Sequence, residues 1–551
     1  MFRNLVLSGL ALFAGAATSF AGDYWFDLQT QAVEKGAADF GHWGNDRKNY
    51  TAWATHSNRL IPVYAFGTRG SAAGVDLETY TGAHSPYRDE SAIRRLYGYL
   101  PPRTLNPEAD YMDQTNLFDI QKAALDAGKK HVFLIIFDGM DWQTTRAAAI
   151  ARTGAVKYES GRGTGLHFQD YQAGGNTQFA MMVTSPHNNG TDVDVDTQTV
   201  KNPGGTLRGG YCAERGGKFC WDSPTDIDYL ISGPKLGSDL HAYTDSSCSA
   251  SNMTTGIKSY NNAVNVDPTG QPLRTIAMIA QDRGMGAGAV TSVPISHATP
   301  AAAMAHNVHR DDYQDITRDL IGLPSISHPE KPLNGLDVLI GTGWGATRKE
   351  DSGGGKNFVP GNAYLTDKDM AAADVRNGGR YVVAERTEGV AGSRGLAAAA
   401  ESAREGHHRL LGFYGVASTM HLPFATANGD YTPAVGRKKK NPEEYTKGDL
   451  VENPTLTDMT KAAISVLSAN PKGFWLMIEA GDVDWANHDN NIDSSIGAVF
   501  SGDAAVKAAT DWVEKNSNWN ESLVIVTADH GHYLFLDNPA LLIKPAMTAK
   551  R

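Results

Sequence analysis

The chain has 551 residues, 41% of them hydrophobic, enough to bury a large core as one big catalytic domain or two to three smaller ones. Its 50 basic and 61 acidic residues give a formal charge of −11, so no basic excess exists to neutralise a nucleic-acid backbone, and a nucleic-acid partner is not expected. The acidic balance does not exclude phosphate substrates, because bound metal ions reverse the sign of the field inside a site.

In chain order, Met1-Phe2-Arg3, the apolar run 5–13 and Ser19-Phe20-Ala21 read as a signal peptide over residues 1–21. The run is too short to span a bilayer comfortably. A periplasmic or secreted protein without a membrane anchor is therefore expected. Residues 22–110, rich in Gly, Tyr and Arg, read as an N-terminal extension with no assignable function. From 111 to 551 the pattern changes. Short apolar runs at 131–137, 287–293, 336–340, 381–384, 410–414, 474–478 and 523–526 end in polar or glycine-rich turns. Helical segments follow them, the clearest at 455–469. Continuous rather than alternating apolar strands predict a sheet buried on both faces. The expected fold is α/β: a three-layer sandwich with a central, mostly parallel sheet flanked by helices. Surface insertions are expected near 161–239 and 345–406. Cys212 and Cys220 flank a short loop that a disulfide could close in an oxidising compartment, and Cys248 is left over.

Open α/β sheets place their sites beyond the carboxyl ends of the strands. Three of the strongest runs end there in potential metal ligands. The first runs into Asp138, another into Glu479, Asp484 and His488, and the last into Asp529 and His530. One Asp at a strand end is usually a helix cap, but three such ends carrying Asp, Glu and His point to a polynuclear site. Carboxylate with imidazole suits zinc, and carboxylate with hydroxyl suits magnesium. A nucleophile candidate lies in TDSSCSAS at 244–251, where small residues predict a tight turn entering a helix. The N-terminus of that helix offers N–H groups to an anion. Ser246 there needs a base or a metal to activate it.

The stretch TDSSCSASNMTTGIKSYNNAVNVD resembles the nucleophile segment of alkaline phosphatases. FDGM, HATPAAAMAHNVHR, PTLTDMTKAA, GFWLMIEAGDVDWANH and LVIVTADHGH resemble other blocks of that family, in its order, across roughly 111–535. The resemblance implies hydrolysis of phosphate monoesters through a phosphoserine on Ser246, with two zinc ions and one magnesium. It implies that Asp138, Asp529 and His530 hold the zinc that activates the serine, and that Asp484 and His488 hold the second zinc. It further implies that Asp138, Thr299 and Glu479 hold magnesium. Arg310 then grips two phosphate oxygens, and Asp245 orients it. His297 and Trp485 fall at auxiliary positions that vary in the family, and His297 bears on which metal the Glu479 site takes. A homodimer would fit the family's habit.

Family members carry a further histidine well downstream as the third protein ligand of the second zinc. Here the chain ends 21 residues after His530, so that ligand stays open: a truncated chain, a weak site, or a substitute among His532, His421 and His241. Two other readings remain. A phosphodiesterase or sulfatase would lack the arginine clamp or need a Pro and Arg near its nucleophile. A phosphate or metal binder without turnover would bind fewer than two zinc ions tightly.

Overall fold

The structure, a computed structural model, describes residues 23–52, 55–231, 241–438 and 442–545. The signal peptide read at 1–21 lies outside them. Ten strands form one sheet: β1 (Ile61–Phe66), β2 (Met112–Asp113), β3 (His131–Phe137), β4 (Thr177–Val183), β5 (Gly286–Pro294), β6 (Val338–Thr342), β7 (Tyr381–Glu385), β8 (Arg409–Tyr414), β9 (Phe474–Ala480) and β10 (Ser522–Thr527). Their order across the sheet is β7-β8-β6-β5-β9-β3-β10-β1-β4-β2. The seven strands from β7 to β10 are mutually parallel and are the seven apolar runs of the sequence. Their side chains are almost all buried, as a sheet covered on both faces requires.

Helices cover it in two sets. One includes α1 (Asn116–Asp126) and α3 (Ser246–Thr255). The other includes α2 (Trp142–Thr153), α5 (Gly392–Gly406), α6 (Leu456–Leu467) and the 25-residue α8 (Ile492–Asn516). Two further helices are α4 (Tyr313–Ile321), whose Leu320 O accepts from Leu336 N just before β6, and α7 (Asp482–His488), which directly follows the carboxyl end of β9. The helix expected at 455–469 starts where Thr455 and Asp458 form a reciprocal cap.

The segments read as an N-terminal extension and a surface insertion both enter the sheet. β1 pairs antiparallel with β10 (Val63 opposite Thr527) and with β4 (Ile61 opposite Met182). β1 reads poorly as a strand because Pro62 interrupts it, yet proline is tolerated near a strand's first residue. The second insertion likewise supplies edge strand β7 and helix α5. Cys212, Cys220 and Cys248 are all free and buried, so the bridge read between the first two is not formed. Both pack into the aromatic cluster around Tyr211 and Tyr229. Among the described residues no helix is long and apolar enough to cross a membrane.

Register explains where the site lies. Thr291 of β5 pairs with Glu479 of β9, Glu479 with Ile136 of β3, and Ile136 with Thr527 of β10. The four strands therefore reach the same carboxyl edge together, with Glu479 level with Ile136 and Thr527, and Asp138 and Asp529 two residues beyond.

Candidate metal centre and nucleophile

Asp138 and Asp529 leave adjacent strands β3 and β10. Asp529 Oδ1 accepts from the backbone N–H of Gly139 (3.0 Å) and of His530 (2.9 Å), which turns its Oδ2 towards His530 Nε2 at 3.4 Å. Asp138 Oδ1 lies 3.2 Å from the same nitrogen. Gly139 has φ +70°, and a Cβ there would sit 2.7 Å from the His532 ring and 3.1 Å from Asp484 Cα. Only glycine lets the turn after β3 pass this close to His532 and α7.

Ser246 is the first residue of α3. Asp245 caps that helix by accepting from Cys248 N (3.1 Å), and Ser249 Oγ donates to Asp529 O (2.6 Å), tying the helix to the end of β10. Ser246 Oγ then falls 3.2 Å from His530 Nε2, itself beside Asp138 and Asp529. Asp245 Oδ2 accepts from Arg310 at 2.9 Å and Ser247 Oγ at 2.8 Å, and Oδ1 also accepts from Asn262 N at 3.1 Å. Burial alone pushes the Asp245 carboxyl up, but the Arg310 cation and these hydrogen bonds outweigh it and hold it below its usual value. The anchored guanidinium keeps its charge. Burial opposes that charge, and Asp245 overcomes the opposition.

Asp484 on α7 is the centre of a histidine group. Its Oδ1 lies 2.5 Å from His532 Nε2, 3.5 Å from His488 Nε2 and 3.6 Å from His56 Nε2. His56 comes from the N-terminal segment and was not among the residues singled out in the sequence. Its neighbour Ser57 bridges to Gly531 (N to O, 2.8 Å), and its ring stacks on His530 with centroids 3.7 Å apart. His56 Nδ1 donates to Thr244 O at 2.9 Å, which directs Nε2 towards Asp484 and His488. A carbonyl fixing the far nitrogen of a histidine is the usual support of a metal-binding imidazole. Of the three substitutes weighed in the sequence, His532 joins this group. His421 instead sits between Glu443 and Asp482, and His241 stacks on Tyr229.

The remaining sequence-derived residues lie around this core. Glu479 Oε2 accepts from Thr291, a contact not foreseen, while Thr299 Oγ1 is buried without a hydrogen bond. His297 lies outside the ligand groups: its Nε2 is 3.4 Å from an Arg310 nitrogen, and Trp485 packs edge-on between the rings of His297 and His421.

Two sets of donor atoms lie close enough to hold a cation: Asp138 with Asp529 and His530, and His56 with Asp484, His530 and His532. The residues fit divalent metals on a direct observation. Both Asp138 oxygens, Asp529 Oδ2 and Glu479 Oε1 are buried without a hydrogen bond. Burial, then the like charges of Asp529, Asp484 and Glu479, push Asp138 well above the carboxylate range, and burial lifts Glu479 to about 8. Acids packed this tightly away from water lack positive charge, which cations supply.

Strand ends, a helix-borne serine and two ligand groups define an α/β protein with a candidate polynuclear centre at the carboxyl edge of its sheet. The chain belongs to the alkaline phosphatase family, whose model matches residues 213–541. It is 29% identical over 311 residues to alkaline phosphatase 4 of Bacillus subtilis strain 168, covering 56% of this chain and 50% of that protein. It is 32% identical over 299 residues to alkaline phosphatase of Escherichia coli strain K12, covering 52% and 58%. Alkaline phosphatase of Thermus thermophilus is among the similar solved structures, at 20% identity and TM-score 0.41, with 73% of this chain and 60% of that one covered. The chain spans about half the length of the curated relatives it matches. His56 and Asp138 precede the stretch the family model matches; Asp138 is read from its strand end and the FDGM block, whereas the placement of His56 rests on geometry alone.

Proposed function

We propose that the protein is an exported phosphatase that hydrolyses phosphate monoesters to an alcohol and inorganic phosphate through a phosphoserine on Ser246. The observation that supports this most is the position of Ser246 Oγ, at a helix N-terminus and 3.2 Å from a histidine shared by two cation-ligand groups. In this reading Asp138, Asp529 and His530 hold one zinc, and Asp484, His488, His532 and His56 hold the other. Asp138, Thr299 and Glu479 hold magnesium. Bound there, the cations lower the pKa of the serine hydroxyl and offset charge on the attacking and leaving oxygens.

The protein's own groups do the rest. Arg310, oriented by Asp245, presents two parallel N–H groups to the non-bridging phosphoryl oxygens. The N-terminus of α3 adds its partial positive charge to the same region. Ser246 Oγ attacks phosphorus and the alcohol leaves. Water then displaces the serine from the phosphoryl group, regenerating the hydroxyl and releasing phosphate. Both halves spread charge over the phosphoryl oxygens, so one preorganised site serves twice.

The test is turnover on p-nitrophenyl phosphate against the bis ester and the sulfate. A monoesterase strongly favours the first, and equal or greater rates on either of the others defeat the reading. Chelator is expected to abolish turnover, and zinc with magnesium to restore it; activity that survives exhaustive chelation removes the metals from the scheme. Arg310→Lys keeps the charge but not the planar fork. The loss of one charge-assisted hydrogen bond is expected to lower kcat/KM by about 10- to 100-fold and to weaken inhibition by inorganic phosphate in parallel. Unchanged phosphate inhibition would place Arg310 outside the binding site.

A further inference from the structure

Away from the proposed centre, three side chains from separate segments converge. His306 follows the end of β5, Asp319 lies on α4, and His328 is in the connection to β6. His306 Nδ1, Asp319 and His328 each offer one ligand atom within 4.8 Å of the others. His306 Nε2 donates to Leu273 O at 2.7 Å, so Nδ1 carries the lone pair, and that lone pair faces His328 Nε2 at 2.8 Å. Asp319 Oδ2 accepts from the backbone N–H of His306 (3.0 Å) and Oδ1 from Ser325 Oγ (2.5 Å), which fixes the carboxylate with Oδ2 3.9 Å from His328 Nε2.

The surrounding contacts brace this geometry. Ser325 Oγ accepts from His328 N (3.0 Å), and Ser327 Oγ donates to His306 O (2.7 Å). Asp319 is 1% exposed, and among the described residues its ion-pair partner is His328 and no lysine or arginine. The adjacent Arg318 pairs with Asp315 and Asp369 instead. A buried carboxylate without a fixed cation is costly. The imidazole of His328 is 18% exposed, which leaves one side of the group open to water.

We propose that His306, Asp319 and His328 form a further divalent-cation site, separate from the Ser246 centre and suited to zinc. Two imidazoles and one carboxylate with an open fourth position are a common zinc donor set. The bare nitrogen of His306 is held by a carbonyl on its far side, as such ligands are. A cation here cross-links the loop after His306 to α4 and to the 325–328 turn. Arg310 lies four residues beyond His306, so the site steadies the loop that carries it. In the alternative without metal, His328 simply donates a hydrogen bond to His306.

The experiment compares the full chain with His328→Ala and Asp319→Asn, each dialysed against the same buffered free zinc, by zinc content and by melting temperature with and without zinc. His328 is partly exposed and Asn is isosteric with Asp, so both variants are expected to fold, with metal-free melting temperatures near that of the parent. The expected result is the loss of one zinc equivalent per chain in both variants and a smaller zinc-dependent rise in melting temperature. Equal zinc content in the parent and either variant overturns the proposal. Neither readout depends on phosphatase turnover, so it stands or falls independently of the Ser246 mechanism.

Discussion

Ser246→Ala is expected to abolish formation of a phosphoenzyme and to lower turnover on p-nitrophenyl phosphate by roughly three to six orders of magnitude, the range seen when a covalent nucleophile is removed. The substitution deletes one oxygen from a buried helix start. It leaves the Asp245 cap, Arg310 and both ligand groups in place. Zinc content and melting temperature should therefore stay close to those of the parent, which separates loss of the nucleophile from loss of the fold. Acid-quenched labelling with radioactive phosphate reads the intermediate directly. A label that persists in the alanine variant, or turnover within a few-fold of the parent, would sink the phosphoserine route.

His56→Ala carries the second large effect, because it tests whether a residue from the N-terminal segment completes the group around Asp484. His56 Nε2 faces Asp484 and His488, and its other nitrogen is committed to Thr244 O. Removing a direct ligand should weaken zinc binding by more than the ~10–100-fold typical of losing an outer partner of a ligand. In zinc-buffered dialysis the variant should lose one equivalent at free zinc levels that saturate the parent. Its turnover should recover only in excess zinc. His56→Gln should show the same zinc loss while filling the space, which controls for packing against His530. If both variants hold zinc as tightly as the parent, His56 is not a ligand, and Asp484, His488 and His532 form the set by themselves.

The two effects depend on very different information. Ser246 is legible because its neighbours in the chain build its environment: Asp245 caps the helix, and small residues follow. The strand-end ligands are legible for a similar reason. A continuous apolar run that stops at Asp138, Glu479 or Asp529 announces both a buried strand and what lies at its tip. His532 is also within reach of the eye, two residues beyond His530. His56 gives no such signal. It precedes a strand broken by Pro62, in a segment whose composition reads as an appendage, and it meets His488 across 432 positions of chain. Thr291 is equally silent, because a threonine inside a strand looks like any other until register sets it against Glu479.

Local chemistry in the chain determined the seven parallel strands, their carboxyl edge, the helix that presents Ser246 and the family to which the protein belongs. Burial on both faces leaves continuous apolar runs, and helix caps are built from adjacent residues, so both are written in short windows. The tertiary structure alone decided that β1 and β4 extend the sheet, that His56 enters the group around Asp484, that Cys212 and Cys220 stay free, and that His306, Asp319 and His328 converge. Those outcomes depend on antiparallel pairing and packing between distant segments, whose energies come from contacts that no short stretch of sequence contains.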